Sequence, residues 1–418
     1  MIKASVVTKI VIIATALLPA LMVISSLPLN LYGFGILSGW LGMGLISASL
    51  LLMIREPVWT AWFGGLQRMY QWHHNMSVAG YSLLLTHPFV LASSYYGVDL
   101  DTVWEYLSPF NPDILNRMGW IGLIGFMLGL AASFSLRLPY SWWRRLHMLL
   151  VVAILIGLGH IWIASGFSVS LTIVLLITVV AMSWRLVRND YGAGSFPYEV
   201  STVSHPSERI TEVMLRPLAK PISIAQGQFV NAAFFEGPLF QGCGEFHPYT
   251  VSKISEDGSL SLSVKALGDC TKHIQKLGPG VAVRLQGPYG IFLLDRPSSP
   301  AVWIAGGIGV TPFLAMLRSH LVTQKTDLVY VHREPDQVPF EEELRAYATD
   351  QALFHVHSLA MEKDPTPLFT WLANIDDLNE RKIYLCGPPL MVEKVTDWLQ
   401  EQGVPEQQIH FEQFDFRP

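Results

Sequence analysis

The sequence predicts a membrane α-helical bundle of six spans, then an antiparallel β-barrel domain, then an α/β domain on a parallel sheet. Three patterns predict it. No Asp, Glu, Lys or Arg occurs from Ile10 to Ile54 or from Leu146 to Trp184. Short alternating apolar segments follow between residues 209 and 286, and a strand, glycine turn and helix pattern begins at Pro300. Charged residues make up 15% of the 418 residues, against about 25% in soluble proteins. The composition excludes a fully soluble chain, a disordered chain and a disulfide scaffold. The three cysteines, Cys243, Cys270 and Cys386, lie in the soluble-looking half without C-x-x-C spacing. Neither a structural disulfide nor a thiolate metal site is expected from them. A net charge of −5 and the lack of a long basic run argue against a nucleic-acid partner.

A span needs about 20 mostly apolar residues. The first charge-free run is too long for one helix, and Pro28, Asn30 and Gly33 divide it near 9–27 and 34–54. Further spans fall near 72–96, 118–136, 145–164 and 168–187. A cleaved secretory signal is the alternative for the first segment, but no clear small-residue cleavage site follows it. Lys3, Lys9, Arg55, Arg68, Arg137, Arg144, Arg145, Arg185 and Arg188 fall on one side of such a bundle. The other side holds Arg117 beside Asp99, Asp101, Glu105 and Asp113. The bias predicts a multi-pass protein in a lipid bilayer, the plasma membrane, with both termini cytoplasmic.

Ionisable residues inside spans are costly and usually functional. His73 and His87 sit in the third span, and His147 and His160 in the fifth. Each pair is separated by roughly 20 Å along its helix. Two neighbouring helices so marked can build two stacked bis-imidazole sites, His73 with His147 near the cytoplasmic face and His87 with His160 near the outer face. Neutral imidazole is a good ligand for haem iron. The 14-residue spacing keeps His73 and His87 on one face. The 13-residue spacing leaves His160 about 140° from His147 on an ideal helix, which helical geometry alone does not explain. His74 is the local competitor of His73.

Residues 190–200 read as a Gly-rich linker. Strands of an antiparallel barrel are expected at Arg209–Leu215, Gln228–Phe235, Tyr249–Ile254, Leu260–Ala266 and Ala282–Gln286. A buried strand, Ala301–Ala305, then enters Gly306-Gly307-Ile308-Gly309-Val310-Thr311-Pro312 and a helical stretch. Strands at Asp327–Val331 and Lys382–Cys386, with helices at Phe340–Ala348 and Leu390–Gln402, complete a parallel α/β pattern. Glycines in such a turn let the backbone approach a pyrophosphate at a helix N-terminus, and Pro312 suits the first helical turn. Arg333 follows the second strand, where a cation can meet a 2′-phosphate.

His247-Pro248-Tyr249-Thr250-Val251, Val264-Lys265-Ala266-Leu267-Gly268-Asp269-Cys270-Thr271 and Gly287-Pro288-Tyr289-Gly290 resemble the flavin-binding barrel of the ferredoxin–NADP reductase type. Ala305 to Pro312 and Cys386-Gly387-Pro388-Pro389 resemble its nicotinamide half. Joined to six spans and four histidines, residues 35 to 418 resemble the ferric reductase and NADPH oxidase superfamily in its bacterial form. The resemblance implies three domains: a di-haem membrane domain over 1–190, an FAD-binding barrel over 198–297 and an NAD(P)-binding domain over 298–418. It implies that His247, Pro248, Tyr249 and Thr250 hold the isoalloxazine and ribityl chain of FAD. Lys265, Gly268 and Thr271 would serve the FAD phosphates. Gly306, Gly307, Gly309, Thr311 and Pro312 would cradle the dinucleotide, with Cys386 and Gly387 beside the nicotinamide. Phe414 in the C-terminal Phe-Glu-Gln-Phe would cover the flavin, with Phe416 as alternative. The chain departs from the family in two places. Its flavin motif begins with His-Pro where the strict reductases have Arg. Leu91 also stands where animal NADPH oxidases carry a further histidine, and no arginine faces outward in the first two spans.

The implied activity is electron transfer from cytosolic NAD(P)H, through FAD and two b-type haems in a bacterial inner membrane, to an extracytoplasmic one-electron acceptor. A ferric chelate is the expected acceptor, and oxygen, as in an NADPH oxidase, is the alternative. A quinone-fed haem subunit leaves residues 200–418 without a role. A redox-regulated transporter lacks broken spans and paired carboxylates to support it.

Overall fold

The computed structural model describes residues 2–133, 140–166, 169–237, 240–294, 299–333, 338–361 and 364–412. It divides into two compact units, residues 1–55 with 68–186, and residues 56–67 with 187–418.

The first unit is helical. It comprises α1 (Ile2–Ile24), α2 (Leu31–Leu51), α4 (Leu66–Ser93), α5 (Leu100–Leu107), α6 (Ile114–Ser133), α7 (Tyr140–His147), α8 (Leu149–Ala164) and α9 (Val169–Trp184). The short α3 (Pro57–Trp62) lies between α2 and α4 in sequence. Among the described residues, five helices are long and apolar enough to cross a membrane, over Leu31–Leu51, Leu66–Ser93, Ile114–Ala131, Arg145–Ala164 and Val169–Asp190. The first of the six expected spans is α1, which contributes a shorter apolar stretch, Thr8–Ile24. The turn after α1 is set as its residues require: the Asn30 side chain accepts from the Gly33 N–H and caps α2.

Small residues let these helices approach backbone to backbone, as bilayer packing favours. A Cβ on either Gly42 of α2 or Gly80 of α4 would lie 2.8 Å from the other's carbonyl oxygen. On α6, Gly122, Gly125 and Gly129 face Gly157, Ala153 and Leu150 of α8. The helical run breaks at Met148, where Val151 N–H turns back to the Met148 carbonyl.

The second unit holds a closed antiparallel barrel and a parallel sheet. The barrel strands are β1 (Phe196–Ser207), β2 (Ile210–Pro217), β3 (Phe229–Phe234), β4 (His247–Ile254), β5 (Leu260–Lys265) and β6 (Ala282–Tyr289), in the order β1-β2-β5-β4-β3-β6. The short α10 (Asp269–Ile274) follows β5. Tyr198, Val213, Leu215, Phe234, Val251 and Leu262 build the barrel core. β1 begins inside the stretch that reads as a linker and runs to Ser207, pairing with both β2 and β6. α3 belongs to this unit and packs on β6, and Glu56 just before it accepts from Arg188 Nε at 3.3 Å.

The α/β part runs β7 (Ala301–Gly306), α11 (Thr311–Arg318), β8 (Thr326–His332), α12 (Glu341–Asp350), β9 (Phe354–Ala360), α13 (Thr366–Ala373), β10 (Lys382–Cys386), α14 (Pro389–Glu401) and β11 (Ile409–Glu412). All its strand pairs are parallel, in the order β11-β10-β7-β8-β9. Arg318 clasps it to the barrel, reaching Glu212 of β2 at 2.6 Å and Glu343 of α12 at 2.7 Å. Burial opposes the charge on Glu212, but the hydrogen bonds and charge of Arg318, with Ser252 and Ser263, outweigh it and hold the carboxyl below its usual range.

One expectation fails. Cys243 and Cys270 are joined as a disulfide, with Cα atoms 5.5 Å apart. They lie 27 residues apart, but one precedes β4 and the other follows β5, and these strands are antiparallel neighbours. The hairpin brings their outer ends together.

Candidate functional site

In the helical unit, His73 Nδ1 lies 3.0 Å from the Ser49 carbonyl, His87 Nδ1 2.6 Å from the Gly35 carbonyl and His160 Nδ1 2.9 Å from the Leu115 carbonyl. A carbonyl only accepts, so each Nδ1 carries the proton and each Nε2 keeps its lone pair. His147 reaches the same state differently. Its Nδ1 lies 2.9 Å from the Ser133 hydroxyl, which itself donates to the Gly129 carbonyl and so has lone pairs left to accept. Trp143 stacks on the His147 ring at 5.0 Å and donates to the Ser133 carbonyl. His73 lies within electrostatic reach of His147, and His87 of His160. Anchoring of the distal nitrogen orients metal-bound histidines, so the four side chains fit two bis-imidazole haem sites. Among the described residues His74 has no such anchor. Small residues clear room at the rings: a Cβ on Gly39 would lie 2.8 Å from His87 Nδ1, and one on Gly119 3.3 Å from the His160 ring. Leu91 is buried against Gly35.

In the second unit, β4 opens with His247 and Pro248, both partly buried, and continues with buried Tyr249 and Thr250. The Tyr249 ring meets Phe234 edge-on at 6.1 Å inside the barrel. Its hydroxyl is buried without a partner among the described residues, and burial pushes its pKa up. The Asn231 amide nitrogen is likewise buried without a partner, one strand away in register with Pro248. Asn231 pairs with Pro248 and so lies on the opposite face of the barrel wall from Tyr249, whose ring is in the core. The orphaned Asn231 amide fits a bound polar group such as the ribityl chain of FAD. Lys265 ends β5, and the Thr271 hydroxyl accepts from the Leu267 and Gly268 N–H groups at 2.8 and 2.9 Å. Lys265 Nζ also stands 3.6 Å from the point a Cβ on Gly307 would occupy. The segments resembling flavin and nicotinamide motifs thus meet at one cation.

The glycine turn is tightly built. Gly307 has φ +55°. A Cβ on Gly309 would run into the Cys386 carbonyl, and one on Gly306 would lie 2.8 Å from Met391 and Pro388. Gly387 is as constrained, its Cβ position lying 2.6 Å from Met391. Thr311 donates to the Ile308 carbonyl at 3.0 Å, and Pro312 stands in the first turn of α11. Cys386 is buried at the end of β10, and burial, with Glu412 beside it, pushes its thiol well above the ordinary range. Arg333 is exposed just after β8. Phe414 and Phe416 lie outside the described residues.

Glu412 belongs to the same site, although the sequence pattern does not mark it. It ends β11 in register with Cys386, and burial raises its carboxyl to about 8. One oxygen would lie 2.8 Å from a Cβ on Gly290, and the other has no partner among the described residues. Its only signal in the sequence is its place inside the Phe-Glu-Gln-Phe tail.

Residues 38–158 match the ferric reductase like transmembrane component, residues 198–293 the oxidoreductase FAD-binding domain and residues 303–397 the oxidoreductase NAD-binding domain. Among curated proteins, the chain is 37% identical over 140 residues to the 2-halobenzoate 1,2-dioxygenase electron transfer component of Burkholderia cepacia, covering 31% of this chain and 41% of that one. It is 28% identical over 230 residues to the toluate 1,2-dioxygenase electron transfer component of Pseudomonas putida, covering 51% and 66%. The chain thus spans less than two thirds of either relative. Among solved structures, the FAD/NAD-binding domain of nitric oxide dioxygenase from Vibrio cholerae aligns with a TM-score of 0.45 at 21% identity, over 52% of this chain and 97% of that one. The three matches, in this order, give the chain the fused architecture of a ferric-reductase-like transmembrane component followed by oxidoreductase-type FAD-binding and NAD-binding domains.

Proposed function

We propose that the protein carries electrons from cytosolic NAD(P)H, through FAD and two b-type haems, to a one-electron acceptor on the far side of the membrane, with a ferric chelate as the natural acceptor. The observation that carries the reading is the set of four intramembrane histidines, each with Nδ1 committed to an oxygen and Nε2 left as a ligand. FAD, when bound, takes a hydride and passes on single electrons, which a haem accepts one at a time.

The chain's own residues supply position and exclusion. The glycine turn from Gly306 to Pro312, with Gly387, receives the dinucleotide, and Arg333 selects the 2′-phosphate of NADPH. The neutral thiol of Cys386 packs beside the nicotinamide. Tyr249, Thr250, His247, Pro248, Lys265, Gly268 and Thr271 hold FAD, with Phe414 over its face. His73 with His147, and His87 with His160, hold the inner and outer haems. Residues 56–67 fold with 187–418, so the loop between α2 and α4 lies on the same side of the membrane as the C-terminal half. Together with the Lys and Arg bias, this supports a cytoplasmic location for both, in a bacterial inner membrane.

Iron is favoured over oxygen as the evolved acceptor by buried Leu91 and by the acidic outer loops, Asp99, Asp101, Glu105 and Asp113, which concentrate cations. Membranes given NADPH are assayed with a ferric chelate, with and without oxygen and superoxide dismutase. Ferric reduction persists in both cases if the reading is right. If it vanishes without oxygen or with the dismutase, released superoxide is the reductant and the protein is an NADPH oxidase. Spectra of the purified protein must also show two b-type haems reduced by NAD(P)H; their absence removes the proposal.

A further inference from the structure

Cys243 and Cys270 have no part in the electron path. Cys243 is anchored to the end of β3, where its N–H and that of Gly244 both reach the Phe234 carbonyl, at 2.9 and 3.0 Å. Cys270 sits in the first turn of α10, whose Ile274 is fixed in the barrel core. Barrel elements thus hold the two backbones at 5.5 Å between Cα atoms, a separation that suits a disulfide. His247 completes the cluster, with ligand atoms of all three residues within 4.8 Å of one another. All three are partly buried, within reach of small thiols.

The placement is specific. His247 opens one segment assigned above to the flavin, and Cys270 lies inside the other, Gly268-Asp269-Cys270-Thr271. The bond therefore ties the second segment to the chain four residues before the first, with the His247 ring beside it. The barrel does not need it for closure, because six strands already close around a continuous core. A disulfide facing a reducing cytosol does not persist as a passive staple, and such pairs act in exchange or sensing.

We propose that Cys243 and Cys270 form a reversible dithiol–disulfide site that sets how firmly FAD is held. The proposal rests on the FAD and cytoplasmic assignments above. In the oxidised form, the bond fixes Gly268 to Thr271 against His247 and keeps the flavin site ordered. A cellular dithiol opens it. One thiolate of the reductant attacks a sulfur of the pair, and its second thiol displaces the other product from the mixed disulfide. Two electrons and two protons pass to Cys243 and Cys270 as thiols, and the reductant leaves as its own disulfide. The two segments then separate, and FAD exchanges faster.

The test uses the full chain, purified with FAD and held in either oxidised glutathione or dithiothreitol. Differential alkylation and mass spectrometry read the cysteines, and flavin fluorescence after desalting reads FAD loss. The oxidised protein should yield the 243–270 disulfide peptide and lose FAD slowly. The reduced protein should be alkylated at both positions and lose FAD several-fold faster, with buried Cys386 unlabelled in both. Cys243→Ser and Cys270→Ser should each lose FAD at the reduced rate in either buffer. Alkylation of both thiols in the oxidised sample, or equal FAD loss in the two states, overturns the proposal and leaves the flavin assignment standing. Stoichiometric zinc in the reduced protein, removed by a chelator, also overturns it in favour of a metal site on the same three residues. A chain that retains no FAD in either state sinks the flavin assignment and this proposal together.

Discussion

The imidazole of His87 on α4 and the backbone of Gly39 on α2 leave no room for a methyl group between them. A Cβ on Gly39 would lie 2.8 Å from His87 Nδ1, the atom already bound to the Gly35 carbonyl at 2.6 Å. Gly39→Ala should therefore turn the imidazole off its anchor and cost the outer haem. Gly119→Ala, with 3.3 Å to the His160 ring, should retain both haems. Pyridine haemochrome counts on the two purified variants measure this. Two haems per chain with an unchanged spectrum in Gly39→Ala would show that the ring is not held as described.

His73→Ala or His147→Ala should remove one haem and stop reduction of the other by NAD(P)H, while flavin reduction survives. His74→Ala should keep both. Anaerobic stopped-flow spectra separate the flavin and haem phases. Loss of haem in His74→Ala, with none in His73→Ala, would move the ligand by one position.

Glu412 predicts a pH dependence of stability. Its carboxyl is raised by burial from 4.5 to about 8. The folded protein therefore keeps a proton that the unfolded chain releases. This group's contribution is most favourable below about pH 4.5 and is lost as pH rises towards 8, by on the order of 5 kcal/mol at most. Glu412→Gln should flatten that part of the profile and stabilise the protein most near pH 8. Thermal unfolding of both proteins between pH 5 and pH 8 checks it. Parallel profiles would mean that the carboxyl is ionised in the folded state.

Arg333 is exposed after β8, at the place where a 2′-phosphate is expected. Arg333→Ala should raise KM for NADPH several-fold and leave NADH unaffected, since only the charged contact differs. Steady-state kinetics with both nucleotides decides it, and an unchanged ratio of kcat/KM removes the role.

Much of this architecture was legible because it rests on local chemistry. The charge-free runs gave the spans, and the glycine turn gave the start of α11. What stayed hidden depends on partners distant in sequence. β9 and β11 are the edges of their sheet, so they lack the continuous apolar run that marks the central β7. The start of β1 reads as linker because Pro197 and the preceding glycines mask a strand that its neighbours impose. The pairing of Cys243 with Cys270 needs the β4–β5 register before it can be seen. Glu412 carries no periodic signal of its burial. The anchors of the histidines come mostly from backbone carbonyls, which any sequence supplies and none announces.

The seat of α3 on β6 bears on how the chain is made. Residues 57–62 leave the ribosome more than 200 residues before β6, at 282–289, exists to receive them. Until β6 is made, this segment has no strand to pack on. The late barrel then docks onto a segment delivered early, and this closes a very long loop at modest entropic cost. A soluble fragment cut at residue 187 would leave that face of β6 bare, and would gain solubility if residues 56–67 were supplied as a peptide.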